Sequence, residues 1–185
     1  MEKESFTPEE RRQLLHFVRE VIECDLAGAE LPAPPPVPRL TEPGSCFVTL
    51  EEDGDLRGCI GNLEAFEPLG ENLLRNAINA SRSDPRFPPV EAEELPHILI
   101  ELSILTLASP IESVEEFRIG LDGIILRAAG RSAVFLPQVA PEQHWDRETT
   151  LRYLSRKAGL PDDAWRRPGA RFFTFQAEVF GEKEL

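Results

Sequence analysis

Apolar residues near the start of the chain recur at helical spacing. The positions three or four residues apart are Leu14, Val18, Val21, Ile22 and Leu26. This spacing predicts one buried face of an α-helix. Thr7 fits the N-cap, Pro8 the first helical position and Glu10 the third residue of a capping box. The helix should therefore begin at Pro8.

A proline-rich stretch follows the predicted helix. The segment LPAPPPVPRLTEPG, residues 31–44, holds six prolines. Each proline removes a backbone donor and fixes its own φ, so regular structure is excluded. We predict a stiff, extended crossing rather than a flexible linker.

The pattern beyond residue 45 changes to short apolar runs separated by turn residues. CFVTLEEDGDLRGCIGNL, residues 46–63, is predicted as a hairpin that turns at Asp53-Gly54. The later predicted elements are a helix over 68–84, a strand over 97–107, a helical turn over 109–117, a second hairpin over 122–139 turning at Gly130-Arg131, a helix over 140–160 and a strand over 171–180.

A hairpin followed by a helix thus occurs twice, from about residue 46 and from about residue 123. The mixed order and the hairpin pairing predict an α+β protein with a mainly antiparallel sheet. The length predicts a single domain over 1–185, or one with a smaller lobe built from 1–44.

Composition disfavours several classes of partner. Lys and Arg total 20 against 33 Asp and Glu, for a net charge of −13. Such a balance disfavours nucleic acid and anionic membranes, which both need a basic surface. Neither a membrane span nor a signal-peptide core is present, so we expect a cytoplasmic protein. Three cysteines without CxxC or HxxxH spacing predict reduced thiols, no metal site and no cofactor.

The hairpin places candidate chemistry on one face. With a two-residue loop, Leu50 lies opposite Arg57 and Val48 opposite Cys59. Arg57 and Cys59 then share a face, where the cation would favour the thiolate. The same register sends Phe47 and Ile60 into the core.

Cys59 leaves three alternatives open: a small core residue, a residue lining a binding site, or a nucleophile. Gly58 and Gly61 bracket it, which suits either an open cleft or a helix packed closely on the strand. A nucleophilic thiol normally has a general base, and no histidine has a spacing that places it beside Cys59.

Several motifs together resemble the AMMECR domain family. LRGCIG is the most specific, and DPRFPPV and FLPQVAPEQHW follow in the family's order over nearly the whole chain. The resemblance implies an α+β fold with two β-α repeats around a single barrel-like sheet. It also implies, as partners, a Memo-type protein and a radical SAM enzyme. The proline run and His144 depart from the family's pattern.

Polar residues in the matching motifs are further site candidates. They are Arg57, Asn76, Asp84, Arg86, Glu101, Gln138 and Glu142. Glu101 lies in an otherwise apolar strand and needs a cationic partner if it is buried. We therefore predict that Glu101 faces the side of Cys59 and pairs with Arg57 or Arg86.

Three functions remain, in this order. The first is a binding or partner module whose cleft holds a small anionic or peptide group. The second is an enzyme in which Cys59 acts as a nucleophile activated by Arg57. The third is a structural scaffold whose motif serves folding.

Overall fold

The computed structural model describes residues 5–184. The chain divides into two compact units, 1–105 together with 178–185, and 106–177. Residues 1–44, the alternative small lobe, belong to the first unit. The single-domain interpretation of the whole chain stays a prediction.

Both units contain helices and strands. In chain order they are α1 Pro8–Ala27, β1 Pro43–Glu52, β2 Asp55–Gly61, β3 Glu67–Pro68, α2 Leu69–Arg82, β4 Ile98–Leu105, β5 Ser109–Ile111, β6 Gly123–Ala128, β7 Arg131–Phe135, α3 Val139–Glu142, α4 Arg147–Lys157, β8 Arg171–Phe175 and β9 Ala177–Gly181. Short 3₁₀ turns cover Pro38–Thr41, Ala92–His97, Val114–Glu116, Ala164–Arg166 and Glu182–Glu184.

The first unit holds a sheet in the order β2-β1-β4-β9, with β3 paired to the start of β1. Strand β1 runs antiparallel to both β2 and β4. Apolar residues of β1, β4, α1 and α2 form one buried cluster, so the two helices cover one face of this sheet. Strand β2 is an edge strand, with one side free for contacts from loops.

The second unit holds a separate sheet in the order β5-β8-β6-β7. Its own core includes Phe117, Ile124, Leu126, Leu151 and Leu154. Each unit contains one hairpin followed by a helix. The α+β class is confirmed, but the expectation of a single barrel-like sheet is wrong. Within residues 5–184 there are two open antiparallel sheets, because each sheet buries one face against its own apolar cluster.

The sequence predicted the local structure correctly where a short motif determines the backbone conformation. The capping box at Thr7 is formed, with Glu10 accepting the backbone N–H of Thr7. Asp53 and Gly54 take φ values of 53° and 91°, as a tight hairpin turn requires.

Predicted boundaries failed in the second half of the chain. The helix expected over 140–160 is interrupted at His144, whose φ is 54°, and restarts with Asp146 as N-cap. The second hairpin turns at Ala129-Gly130, and 109–117 begins with a strand. Among the described residues, no helix has the length and apolarity to cross a membrane.

Candidate functional site

A β-bulge at Arg57 sets the geometry of the LRGCIG strand. From the turn outward, Glu52 pairs with Asp55 and Glu51 with Leu56, but the next pair is Leu50 with Gly58. Arg57 is therefore the extra residue of the strand. The predicted register, Leu50 opposite Arg57, is wrong because a bulge inserts one residue and reverses the faces that follow.

The bulge turns Cys59 away from the helices. Cys59 lies opposite Thr49, while the core-facing row holds Val48 paired with Ile60. Ile60 packs against the core as predicted. Phe47 does not enter that core, since it alternates with the buried Val48.

Thr49 joins Cys59 and Glu101 in one row across three strands. It lies opposite Cys59 on β2 and opposite Glu101 on β4. Side chains at paired positions share a face, with Cβ atoms about 4.5–5.5 Å apart. The Thr49 hydroxyl donates to the Cys59 Sγ at 3.4 Å. Glu101 therefore shares the face of Cys59, as predicted.

Asp84 and Arg86 bind the backbone of Cys59 along the outer edge of β2. The Asp84 carboxylate accepts the Cys59 N–H at 2.9 Å, and Arg86 Nη2 donates to the Cys59 carbonyl at 3.4 Å. An edge strand leaves such groups without partners, and here a loop supplies them. The DPRF loop thus fixes the position of the thiol.

The Asp84 side chain is the centre of this arrangement. It accepts the Arg86 backbone N–H at 3.1 Å, Nε at 2.9 Å and Nη2 at 2.7 Å. The bidentate hydrogen bond from Arg86 holds the pKa of Asp84 well below its usual range. The Asp84 side chain is 2% exposed, whereas that of Arg86 is 54% exposed. One buried carboxylate therefore holds an exposed guanidinium beside Cys59.

The side chain of Arg57 binds the loop that follows α2 and does not bind the thiol of Cys59. Its Nε and Nη2 donate to Glu94 at 2.6 and 3.0 Å. Its Nη1 and Nη2 also donate to the carbonyls of Pro88 and Pro89. The ion pair with Arg57 lowers the pKa of Glu94. None of the hydrogen bonds described for Arg57 goes to Cys59, so the geometry gives no support to Arg57 as activator.

The predicted pairing of Glu101 is wrong. Arg57 pairs with Glu94 and Arg86 with Asp84, and among residues 5–184 Glu101 forms no ion pair. Burial, together with the charges of Glu51 and Glu184, raises its pKa. A small cavity of about 60 Å³ adjoins Glu101 at the end of β9.

Glutamine at position 101 should make the protein more stable at neutral pH. A raised folded-state pKa means that the folded form binds the proton more tightly, so wild-type stability falls as pH rises from the ordinary value of 4.5 through the raised one. Glu101→Gln should remove this step and raise the melting temperature at pH 7 by about 1–3 °C. Thermal denaturation from pH 4 to 8 measures both. A lower melting temperature at every pH would reveal a stabilising partner for the carboxylate.

Gly58 and Gly61 are required for close packing. A Cβ at Gly58 would lie 2.3 Å from the Ala80 carbonyl oxygen of α2, and one at Gly61 would lie 2.4 Å from the Cys46 carbonyl. The sequence allowed either an open cleft or a closely packed helix beside these glycines, and at Gly58 the structure has the closely packed helix. Their role in binding stays a prediction.

Gly58→Ala should destabilise the protein by about 1–3 kcal/mol, because the obstructing atom belongs to the backbone of α2 and cannot rotate away. Urea denaturation followed by circular dichroism measures the change. An unchanged midpoint would mean that α2 shifts without cost, against the packing described.

Asn76 belongs to a buried amide network that the sequence did not reveal. Asn76 Nδ2 donates to Asn62 Oδ1 at 2.9 Å and to Asn72 Oδ1 at 3.0 Å. Asn72 Oδ1 also accepts the backbone N–H of Cys46 at 3.0 Å. Burial raises the pKa of Cys46 to about 12. The network joins α2 to β1 and to the residue after β2, which makes its observed role one of positioning.

Sequence reasoning missed four residues that shape the site: Thr49, Asn62, Asn72 and Glu94. The spacing of Asn72 and Asn76, one helical turn apart, was the available signal for the network. Thr49 could be found only with the correct register. Glu94 could be found only from the path of the loop.

The remaining candidates lie elsewhere. Gln138 and Glu142 belong to the second unit, where the Gln138 carbonyl accepts the Glu142 N–H at the start of α3. Their role in binding stays a prediction. His16, His97 and His144 are exposed, and no hydrogen bond described for them involves Cys59. Over residues 5–184, no group of three or more metal-ligating side chains was found.

The fold is that of an α+β protein with two antiparallel sheets. Its LRGCIG strand, whose backbone is bound by Asp84 and Arg86, places a thiol at the edge of one sheet. The AMMECR1 family model matches residues 15–180, and this chain belongs to that family. Protein MK0488 of Methanopyrus kandleri is 41% identical, with 98% of this chain and 92% of that protein covered. A protein of Methanothermobacter thermautotrophicus is 42% identical, covering 94% and 95%.

A solved structure has the same fold. The crystal structure of the uncharacterized protein PH0010 from Pyrococcus horikoshii matches with a TM-score of 0.82. It is 36% identical in sequence, and the match covers 92% of this chain and 90% of that one. The family assignment made from LRGCIG, DPRF and FLPQV is thereby confirmed.

Proposed function

We propose that this protein is a cytoplasmic binding module that presents Cys59 and Arg86 to a small anionic or peptide group. The observation that carries the proposal is the position of Asp84. This single buried carboxylate holds both the backbone of Cys59 and the guanidinium of Arg86. The thiol and the cation are therefore kept in a fixed relation before any ligand arrives, which reduces the entropic cost of binding.

Arg86 has capacity left for a ligand. Its Nε and Nη2 are used by Asp84 and Cys59, whereas no hydrogen bond from Nη1 is described within residues 5–184. A guanidinium with a free N–H pair and half of its side chain exposed suits a carboxylate or phosphate oxygen. Asp84 offsets part of the charge, so we expect modest affinity and a strong dependence on ionic strength.

The partners we propose are a Memo-type protein and a radical SAM enzyme. The support is the family resemblance of LRGCIG and its neighbouring motifs. The clamped thiol would be the group that this module contributes to such an assembly.

Binding to a purified Memo-type protein and a purified radical SAM enzyme from one organism tests this proposal. Interferometry should detect a complex that Arg86→Ala weakens at least about tenfold, as the loss of a charge-assisted contact implies. Arg12→Ala is the matched control, because Arg12 is a similarly exposed arginine that pairs, within residues 5–184, only with Glu9. Equal binding by both variants would exclude Arg86 from the interface, and no complex at all would exclude these partners.

The second candidate is an enzyme with Cys59 as nucleophile. The hydroxyl of Thr49 favours it, since it places a polar donor beside the partly exposed sulfur of Cys59. The position of Arg57 weighs against it, because this arginine binds Glu94 instead of Cys59. The third candidate is a structural scaffold. The amide network and the ion pairs of Arg57 and Arg86 favour it, because these contacts join segments of the fold.

Alkylation with iodoacetamide should distinguish the three cysteines of the native protein. Cys46 is fully buried with a raised pKa and should not react, whereas Cys24 and Cys59 are partly exposed. We expect Cys59 to react faster than Cys24, because a hydroxyl donor and Arg86 adjoin it. Peptide mass spectrometry over time gives each rate. An unreactive Cys59 would count against both the binding and the nucleophile proposals.

A further inference from the structure

A groove of about 530 Å³ lies between the proline-rich segment and the start of α2, away from Cys59. We call it the proline groove and define it by Pro34, Pro35, Pro36, Pro38, Pro68 and Glu71. Half of its ten lining residues are prolines.

We propose that the proline groove binds a small organic cation with an aromatic body, an arylalkylammonium ion. The volume lies within the range of about 300–1,000 Å³ that is typical of small-molecule sites. A stable protein partner would instead need about 800 Å² of surface on each side, far more than this groove offers.

The walls of the groove suit an aromatic ring. Proline-rich segments are recognised through contacts between pyrrolidine rings and aromatic faces. The segment here is preformed, because Val37 and Leu40 are each only 3% exposed and anchor it in the core. Pro34 rests against Gly70, where a Cβ would lie 2.9 Å from the proline ring. A ligand therefore meets a rigid surface and orders little of it on binding.

The carbonyl groups of the proline-rich wall favour a donor of positive charge, whereas the N–H groups of Gly70 and Glu71 at the start of α2, which has no side-chain cap, oppose it. Proline has no N–H, so its backbone contributes only carbonyl acceptors. The N–H groups of Val37 and Leu40 are already used, by the Pro35 and Val37 carbonyls. An ammonium group, which brings three donors and no acceptor, complements such a wall.

Glu71 supplies the charge. It is exposed, and within the described chain no ion pair or hydrogen bond of its side chain is found. The N-terminus of α2 adds about half a positive charge nearby, which is less than the full charge of the carboxylate. The whole chain carries −13. The groove is therefore net attractive to a cation.

NMR titration of the ¹⁵N-labelled full chain with phenethylamine tests this inference. Ligands of so few atoms bind weakly, so the titration extends to about 10 mM. We expect saturable shifts of the Val37, Leu40, Gly70 and Glu71 amides. 3-Phenylpropionate, with the same ring and the opposite charge, should bind at least about fivefold more weakly. Glu71→Gln should weaken phenethylamine by a similar factor.

Two controls keep the outcome decisive. Glu93→Gln removes an exposed acid from the 3₁₀ turn Ala92–His97 and should leave binding unchanged. Pro36→Ala removes one exposed ring of the wall and should weaken both aromatic probes alike. Equal affinity for phenethylamine and 3-phenylpropionate, or no loss in Glu71→Gln, would overturn the proposal. So would shifts confined to residues outside the groove.

Discussion

Asp84→Ala should lower the free energy of unfolding by about 2–3 kcal/mol, since it removes four hydrogen bonds, three of them from Arg86, and leaves the Cys59 N–H without its acceptor. The figure stays below that of a deeply buried pair because the Arg86 side chain is 54% exposed, so its guanidinium can be solvated once Asp84 is gone. The expected fall in melting temperature is about 4–12 °C.

Calorimetry or thermal circular dichroism measures this loss. Asp162→Ala is the matched control, because Asp162 forms a comparable bidentate pair with Arg156 at the surface, where both side chains are about half exposed. That variant should melt close to wild type. Equal effects of the two substitutions would contradict the central position that we assign to Asp84.

Arg57→Ala should destabilise the protein by a similar amount, about 2–3 kcal/mol, because the arginine is 11% exposed and donates four hydrogen bonds to Glu94, Pro88 and Pro89. Arg57→Lys should fall between wild type and alanine. Lysine keeps the charge but lacks the planar fork that serves a carboxylate and two carbonyls together.

The alkylation rate of Cys59 separates the two roles considered for Arg57. If Arg57 only positions the loop, Arg57→Ala should lower the melting temperature and leave the rate at Cys59 nearly unchanged. If its charge activates the thiol, the rate should fall in Arg57→Ala while stability is retained, and Arg57→Lys, which keeps the charge, should restore the rate. The second result would restore the nucleophile hypothesis in its original form.

Together these contacts describe a loop fastened to a strand at two points. Arg57 and Glu94 hold the proline end of the loop, while Asp84 and Arg86 hold the end beside Cys59. The motifs LRGCIG and DPRF are far apart in sequence but form one structural unit.

Elements with local signals could be predicted from the sequence. The helix Pro8–Ala27 follows from its capping box and apolar spacing, and the first hairpin from Asp53-Gly54. The prediction of one continuous helix over 140–160 was wrong, because the turn at His144 has no comparable signal in the sequence. Assignment to one sheet also failed, since alternation within a strand does not say which strands pair.

For the site, the sequence by itself supplied the candidate residues: a thiol, two arginines and an acid in short motifs of one family. It also determined the α+β class, because periodicity and turn residues act locally. Only the tertiary structure decided which of these side chains pair with each other. A single bulged residue moved Cys59 to the face of Thr49 and Glu101, and the path of a loop gave Glu94 to Arg57 and Asp84 to Arg86. Pairing depends on distances between segments remote in sequence, and no local pattern encodes those distances.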